Sequence, residues 1–506
     1  MEKLFNLRPI VLAGLLIMAG IILGYYVDVT VVKVLSICLL IIGTILISAL
    51  ILFSRKRKNC ILMAATLFMM VIVGFSLTTI KMNKLAKFSG YVYETNEIEC
   101  TISSAKENGT SVVIYADHIA INGNKVDGNC RITYYGNHYK ISEFKYGAKL
   151  VLSEVKFKER NILKPSKSGT VFNISLRDAN ISSLTPTKNI FIKLRNTITD
   201  KLVNNNSSAE YVNSLEVGML FGEKAYMSEE MKDAFSISGL SHLLAVSGLH
   251  VGFILTLLNI LLNRLFKRNV KLIFITEAVV LIVYAFICDF SPSIVRASLM
   301  AIISMFATVR GKQYDGLNAL ALSAIILILF DPLTIFNVGF ELSYACVFSM
   351  ACLSGRLNYL FTKVMPEKLS GTLSIGLSAT LGTFPIIAYY FNSFSVLSVL
   401  VNLIAVPFAS ICFMSMVVCL ILWMLLPFMS FIMALPNFLY KLLASFAYSV
   451  SSISFSNTEL FINLTGAILL MCVIMFLGDY LFLKRKQKYA FAITLSILSI
   501  LVITLG

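Results

Sequence analysis

Of the chain's 506 residues, 57% are hydrophobic and only 14% charged, and 43 Lys/Arg stand against 27 Asp/Glu for a net charge of +16. A soluble globular chain carries about 25% charged residues, so this composition excludes a water-soluble enzyme or binding module. The basic excess is not by itself a nucleic-acid signal, because cytoplasmic loops of membrane proteins collect Lys and Arg to set their topology.

Three apolar runs open the chain, at 10–25, 29–53 and 60–80. Each is long enough to cross the hydrocarbon core, about 30 Å thick, as a helix. The first follows a basic start (Lys3, Arg8) in the manner of a signal peptide. It shows no small-residue cleavage site and further spans follow at once, so it reads as a retained anchor. The cluster Arg55-Lys56-Arg57-Lys58 between the second and third runs is cytoplasmic by the positive-inside tendency. The N-terminus is then inside, residues 1–80 form a three-span segment, and the chain emerges outside after Ile80.

Over 81–190 the apolar runs shorten and alternate, as in Ile98, Cys100, Ile102 and Phe172, Ile174, Leu176, and Asn122-Gly123 and Asp127-Gly128 supply turns. Period-two alternation broken by such turns predicts a small all-β domain of five or six strands, with an OB-type barrel as the leading form. Sixteen Lys/Arg against ten Asp/Glu give this domain +6, on the side where topology cannot account for it. Tyr134 and Tyr135 mix there with Lys140, Lys145 and Lys149. Aromatic platforms interleaved with cations are how sequence-blind single-strand binders work, although tyrosine also favours strands and lysine protects sheet edges. Eight of the ten cysteines lie in or beside apolar spans. Cys100 and Cys130 fall in the domain placed outside, where a disulfide persists, and they are expected to be bonded.

A polar amphipathic connector, 191–238, leads to a second membrane block over 239–506. Its apolar runs read as 239–262, 271–289, 292–309, 317–331, 335–355, 370–391, 395–426 interrupted at Pro407, 431–453, 460–483 and 488–505. This gives a polytopic α-helical membrane protein of about 13 spans, with its basic loops inside and its β domain and C-terminus outside.

Chemistry concentrates at Ser238-Gly239-Leu240-Ser241-His242, continuing to Ser247-Gly248-Leu249-His250-Val251. The stretch holds two of the four histidines, His242 and His250, eight residues apart and so on one face if the segment is a single helix. Gly239 and Gly248 permit close packing or local unwinding. Either a tight helix–helix seam or the lining of a water-filled path satisfies this pattern. No Cys/His/Asp cluster accompanies the histidines to complete a zinc site, and no phosphate-loop sequence occurs, so neither a metal, another cofactor nor an ATPase activity is expected. Charges embedded in apolar runs, Glu277, Asp289, Arg296 and Glu341, carry a cost unless paired or hydrated. Arg296 and Glu341 are candidates to pair across adjacent spans.

The run Gly239–Val251 closely resembles the signature of the ComEC-type competence family, the inner-membrane channels that admit single-stranded DNA. Arg296 and Met300, Asp331-Pro332, Gly339-Phe340-Glu341-Leu342-Ser343, and Pro385 through Asn402 to Pro407 agree in order, and Gly169, Phe172, Leu176 and Ile181 are similar to that family's extracellular OB-type domain. Glu341 stands where the family usually has Gln, and no His-x-His-x-Asp-His run marks the nuclease domain that many members carry. The resemblance implies a non-enzymatic channel for single-stranded DNA in the bacterial plasma membrane, working with a separate DNA receptor, a cytoplasmic helicase-like ATPase and a separate nuclease. Its path would be lined by Ser238, Gly239, Ser241, His242, Ser247, Gly248, His250, Arg296, Glu341 and Asn402. A secondary transporter of a small solute, or a membrane-embedded metal enzyme using the two histidines, is the rival reading.

Overall fold

The structure is a computed structural model that describes residues 9–26, 55–86, 94–108, 111–136, 139, 143–156, 170–177, 180–203, 210–267, 269–395, 397–453, 457–477 and 485–505. The expected span over 29–53 lies outside the described residues, as do Lys140 and Gly169. The chain divides into two compact units, one of Pro9–Asn196 with Ala324–Asn337 and one built chiefly from Thr197–Ser323 with Val338–Gly506.

In the first unit, helices α1 (Pro9–Tyr26) and α2 (Arg55–Ala86) cross at glycines. A Cβ on Gly20 would stand 2.1 Å from the Val71 carbonyl oxygen, and one on Gly74 would stand 2.1 Å from that of Ile17. Only residues without a side chain let two apolar helices approach this closely. Seven strands follow: β1 (Thr95–Asn108), β2 (Ser111–Ile121), β3 (Asn124–Val126), β4 (Asn129–Tyr134), β5 (Lys149–Lys156), β6 (Thr170–Leu176) and β7 (Ile181–Thr185). They pair in the order β6-β4-β2-β1-β5-β7, with β3 on β2. Every pairing is antiparallel except β4 with β6. The strand beyond the expected five or six is β3, folded back through Asn122 and Gly123, whose φ values of 49° and 78° suit the left-handed hairpin turn. Alternate residues fill the interior, among them Ile98, Ile102, Ile114, Ile132, Leu152 and Phe172.

In the second unit, α3 (Ile190–Val203) enters at its C-terminal half, and α4 (Glu210–Phe221) is buried without interruption from Val212 to Phe221. After α5 (Glu229–Ile237) come α6 (Gly248–Leu265), α7 (Val270–Ile287), α8 (Pro292–Val309), α9 (Gly316–Phe330, of which Ala324 onward belongs to the first unit), α10 (Val338–Phe361), α11 (Glu367–Phe391), α12 (Ser398–Leu425), α13 (Ala434–Ser451), α14 (Leu464–Leu477) and α15 (Arg485–Leu505), with a short pair of strands, β8 (Ser393–Ser395) and β9 (Asn457–Glu459). Among the described residues eight helices are long and apolar enough to cross a membrane, and four shorter apolar helices accompany them. The chain is a helical membrane protein with a separate sheet domain.

Two expectations about the spans change. The break expected at Pro407 is absent, because α12 runs unbroken from Ser398 to Leu425 with Pro407 inside it. The span expected from residue 239 starts only at Gly248. Between α10 and α11 runs a polar, small-residue seam: Ser349 Oγ donates to the Ser378 carbonyl at 2.7 Å, Ser374 and Ser378 bond back to their own helix, and a Cβ on Gly382 would stand 2.4 Å from that of Ser349. The apolar core joins α4, α12 and α13, with Trp423 packed against it.

Candidate functional site

The signature segment is built around two helix boundaries. Ser238 closes α5, fully buried, its hydroxyl donating to the Phe235 carbonyl at 3.2 Å. Gly239 then takes φ +77°, the left-handed conformation that favours glycine, and the Leu240 N–H returns to the Phe235 carbonyl at 2.7 Å. A side chain at Gly239 has no room, since its Cβ would lie 2.6 Å from the Ser398 Cβ and 3.1 Å from the Ser395 hydroxyl. Leu240, Leu243 and Leu244 anchor the next turn in the core, which leaves Ser241 and His242 exposed.

The two histidines are therefore not on one helix. His242 sits in a 3-10 turn, Ser241–Leu243, ahead of α6. His250 lies inside α6 and completes its capping. Ser247 Oγ accepts from the Leu249 N–H at 3.3 Å, and His250 Nδ1 accepts from the Ser247 N–H at 3.0 Å. The accepting Nδ1 places the neutral ring's proton on Nε2, which is buried without a hydrogen-bond partner. Phe413 meets the ring edge-on at 4.7 Å. Extended backbone at Ser247 and left-handed backbone at Gly239 are what divide the expected helix.

Gly248 rests on α8, where a Cβ would lie 3.0 Å from an Arg296 guanidinium nitrogen. Arg296 is 7% exposed, donates through Nη1 to the Ser343 carbonyl and stands 5.9 Å from the Tyr344 ring centre. It does not pair with Glu341 as the sequence suggested. The Glu341 carboxylate accepts instead from the Tyr390 hydroxyl at 3.1 Å, so α11 rather than α8 satisfies it. Asn402 is half-buried one turn into α12, its Oδ1 without a hydrogen-bond partner. Asp289 is exposed beyond the end of α7, whereas Glu277 is buried within that helix.

A feature missed in the sequence runs on from this turn. Gly252, Thr256, Asn259 and Asn263 recur at helical spacing along one face of α6. Gly252, Thr256 and Asn259 are exposed, and a Cβ on Gly252 would meet open space. Thr256, Asn259 and Asn263 line a groove of about 380 Å³ together with Leu255 and Ile260. The spacing was readable, but the apolar residues between these positions masked it.

In the sheet domain the candidate contacts separate. Tyr135 is exposed, but Tyr134 is core, packed edge-on against Phe144 at 5.4 Å with its hydroxyl accepting from the Tyr139 N–H. Strand alternation puts neighbouring tyrosines on opposite faces. Lys145 is half-buried, and Lys149 is paired with Glu99 at 2.7 Å. The expected Cys100–Cys130 bond is not formed: both thiols are free and buried. They meet across the interior from β1 and β4, and the hydrogen bond that the Cys130 thiol donates to Cys100, with burial, holds Cys130 well above its ordinary range. Among the described residues no group of His, Cys, Asp and Glu could hold a metal ion.

A family model described as "Competence protein" matches residues 219–486, more than half of the chain and the whole of the signature region. ComE operon protein 3 of Bacillus subtilis is 34% identical over 192 residues, covering 38% of this chain and 24% of that protein. Competence protein ComA of Neisseria gonorrhoeae is 31% identical over 201 residues, 37% of this chain and 27% of its own length. Recombination protein 2 of Haemophilus influenzae is 23% identical over 217 residues, 39% of this chain and 26% of its own. The matched part spans about a quarter of each of these relatives, and no solved structure matches the chain. With the family model covering more than half of it, the chain belongs to the competence protein family.

Proposed function

We propose that the chain is a passive channel that admits single-stranded DNA across the bacterial plasma membrane during natural transformation. The observation that carries this is the polar face of α6. A helix that crosses a membrane does not offer Thr256, Asn259 and Asn263 to lipid without cost, so such a face belongs against water or a polar substrate. It descends directly from the exposed Ser241–His242 turn, which forms the head of the path. Family membership supports DNA as the cargo. A helicase-like ATPase drives the strand from the cytoplasm, and a separate receptor acts with the channel.

The sheet domain stands outside the cell and guides the strand. Its parallel β4–β6 pairing within the order β6-β4-β2-β1-β5 supports an OB-type topology. In a variant lacking Cys100 and Cys130, a single cysteine at the exposed Lys125 is expected to react with an impermeant maleimide on intact cells. Protection until lysis would place the domain inside.

His242→Ala is the direct test of the path. We expect DNA uptake per channel molecule to fall sharply while the protein accumulates normally, because this exposed side chain contributes little packing. Uptake per molecule at the wild-type level would remove His242 from the path. Deleting the gene separates the transporter rival, since a solute-growth phenotype with normal transformation would favour it.

A further inference from the structure

Glu216 lies at the middle of α4, completely buried, and neither of its carboxylate oxygens has a hydrogen-bond partner. Tyr440 on α13 is also completely buried with its hydroxyl unpartnered, and it lies within electrostatic reach of the Glu216 carboxyl. Orphaned buried polar groups are costly and rare, and two within electrostatic reach of each other in one apolar core call for a ligand that needs no room.

The surroundings define that ligand. From α13 the core presents Tyr440 and, one turn earlier, Asn437. From α12 it presents the Cys412 thiol, and from α7 Tyr284, whose hydroxyl donates to the Leu220 carbonyl at 3.3 Å. Among the described residues no lysine or arginine forms an ion pair with Glu216. An ionised carboxylate with no counter-charge cannot be kept in such a place, and α4 is itself not one of the apolar helices able to span the bilayer.

We propose that the buried Glu216 carboxyl, with the Tyr440 hydroxyl within its electrostatic reach, is a proton-binding site at the centre of the competence domain, and that the bound proton is required for α4 to stay packed in the apolar core with α12 and α13. The site is independent of the channel reading, and of its cargo. Burial pushes the Glu216 carboxyl up to about 8, whereas in an unfolded chain it ionises near about 4.3. Between those values the folded protein holds one proton more than the unfolded, so stability falls as pH rises. The fall should be about tenfold in the folding equilibrium constant per pH unit, levelling above about pH 8.

The full chain in detergent carries its own reporter, since Trp423 is its sole tryptophan and packs on this core. Melting followed by that fluorescence should show the wild type losing stability relative to Glu216→Gln from about pH 5 to about pH 8. Parallel pH profiles for the two proteins would overturn the proposal. Should Glu216→Gln fail to accumulate, infrared difference spectra of the wild type decide. A protonated-carboxyl band should vanish as the pH passes about 8 and should persist below it in Glu277→Gln. Absence of that band, or its loss in Glu277→Gln, would equally overturn it.

Discussion

Alanine at Gly239 is expected to destabilise the helical unit by about 2 to 5 kcal/mol and to abolish transformation with it. Two costs add. The left-handed backbone at φ +77° penalises any residue with a Cβ by about 1 to 2 kcal/mol. The new methyl also presses on Ser398 at the start of α12 and on Ser395 at the end of β8, and overpacking of this kind costs about 1 to 3 kcal/mol. The protein supplies its own control. Gly123, in the hairpin between β2 and β3, has nearly the same φ of +78° but nothing within 4 Å of its Cβ position. Gly123→Ala should therefore cost only the conformational part. Adding Ser398→Gly to Gly239→Ala removes the nearest obstructing atom and should recover part of the loss. Melting midpoints and membrane abundance of the four proteins measure this, and equal effects at Gly239 and Gly123 would show that the contact with α12 has no energetic consequence.

The second large effect is expected on α6. Asn259→Leu combined with Asn263→Leu should reduce DNA uptake at least tenfold while leaving abundance unchanged. An added leucine on an exposed face of a membrane helix is well tolerated, whereas a buried amide in hydrocarbon is costly. The two readings of this face thus give opposite outcomes. If it borders the strand's path, leucine removes polar groups that replace water around the passing phosphates, and transport falls. If it faces lipid, leucine improves the fit, abundance rises and uptake per molecule is unaffected. Quantifying channel protein and internalised DNA in the same cells distinguishes them.

Much of this organisation was legible in the residues. Hydrophobic runs located the membrane helices, and the alternation around Ile98–Ile102 and Phe172–Leu176 located the sheet, because burial on one face imposes those periods directly. The signature segment was recognisable, but its shape was not. Its spacing suits one continuous helix, and only the contact of Gly239 with Ser395 and Ser398, far away in sequence, requires the left-handed turn that separates His242 from His250. The same limit applies to Arg296, which adjacency matched with Glu341. In the fold a backbone carbonyl takes the guanidinium, and a tyrosine from another helix takes the carboxylate. Glu216 gave no signal at all, since a lone glutamate in a short amphipathic stretch reads as a solvated face.

The seam between α10 and α11 limits how the molecule can deform. Ser349, Ser378 and Gly382 interlock so closely that sliding one helix past the other would bring a larger side chain to the crossing. This hairpin therefore behaves as a fixed stator. Any rearrangement of the helical unit must therefore carry α10 and α11 as one piece, with the crossing at Gly382 left in place.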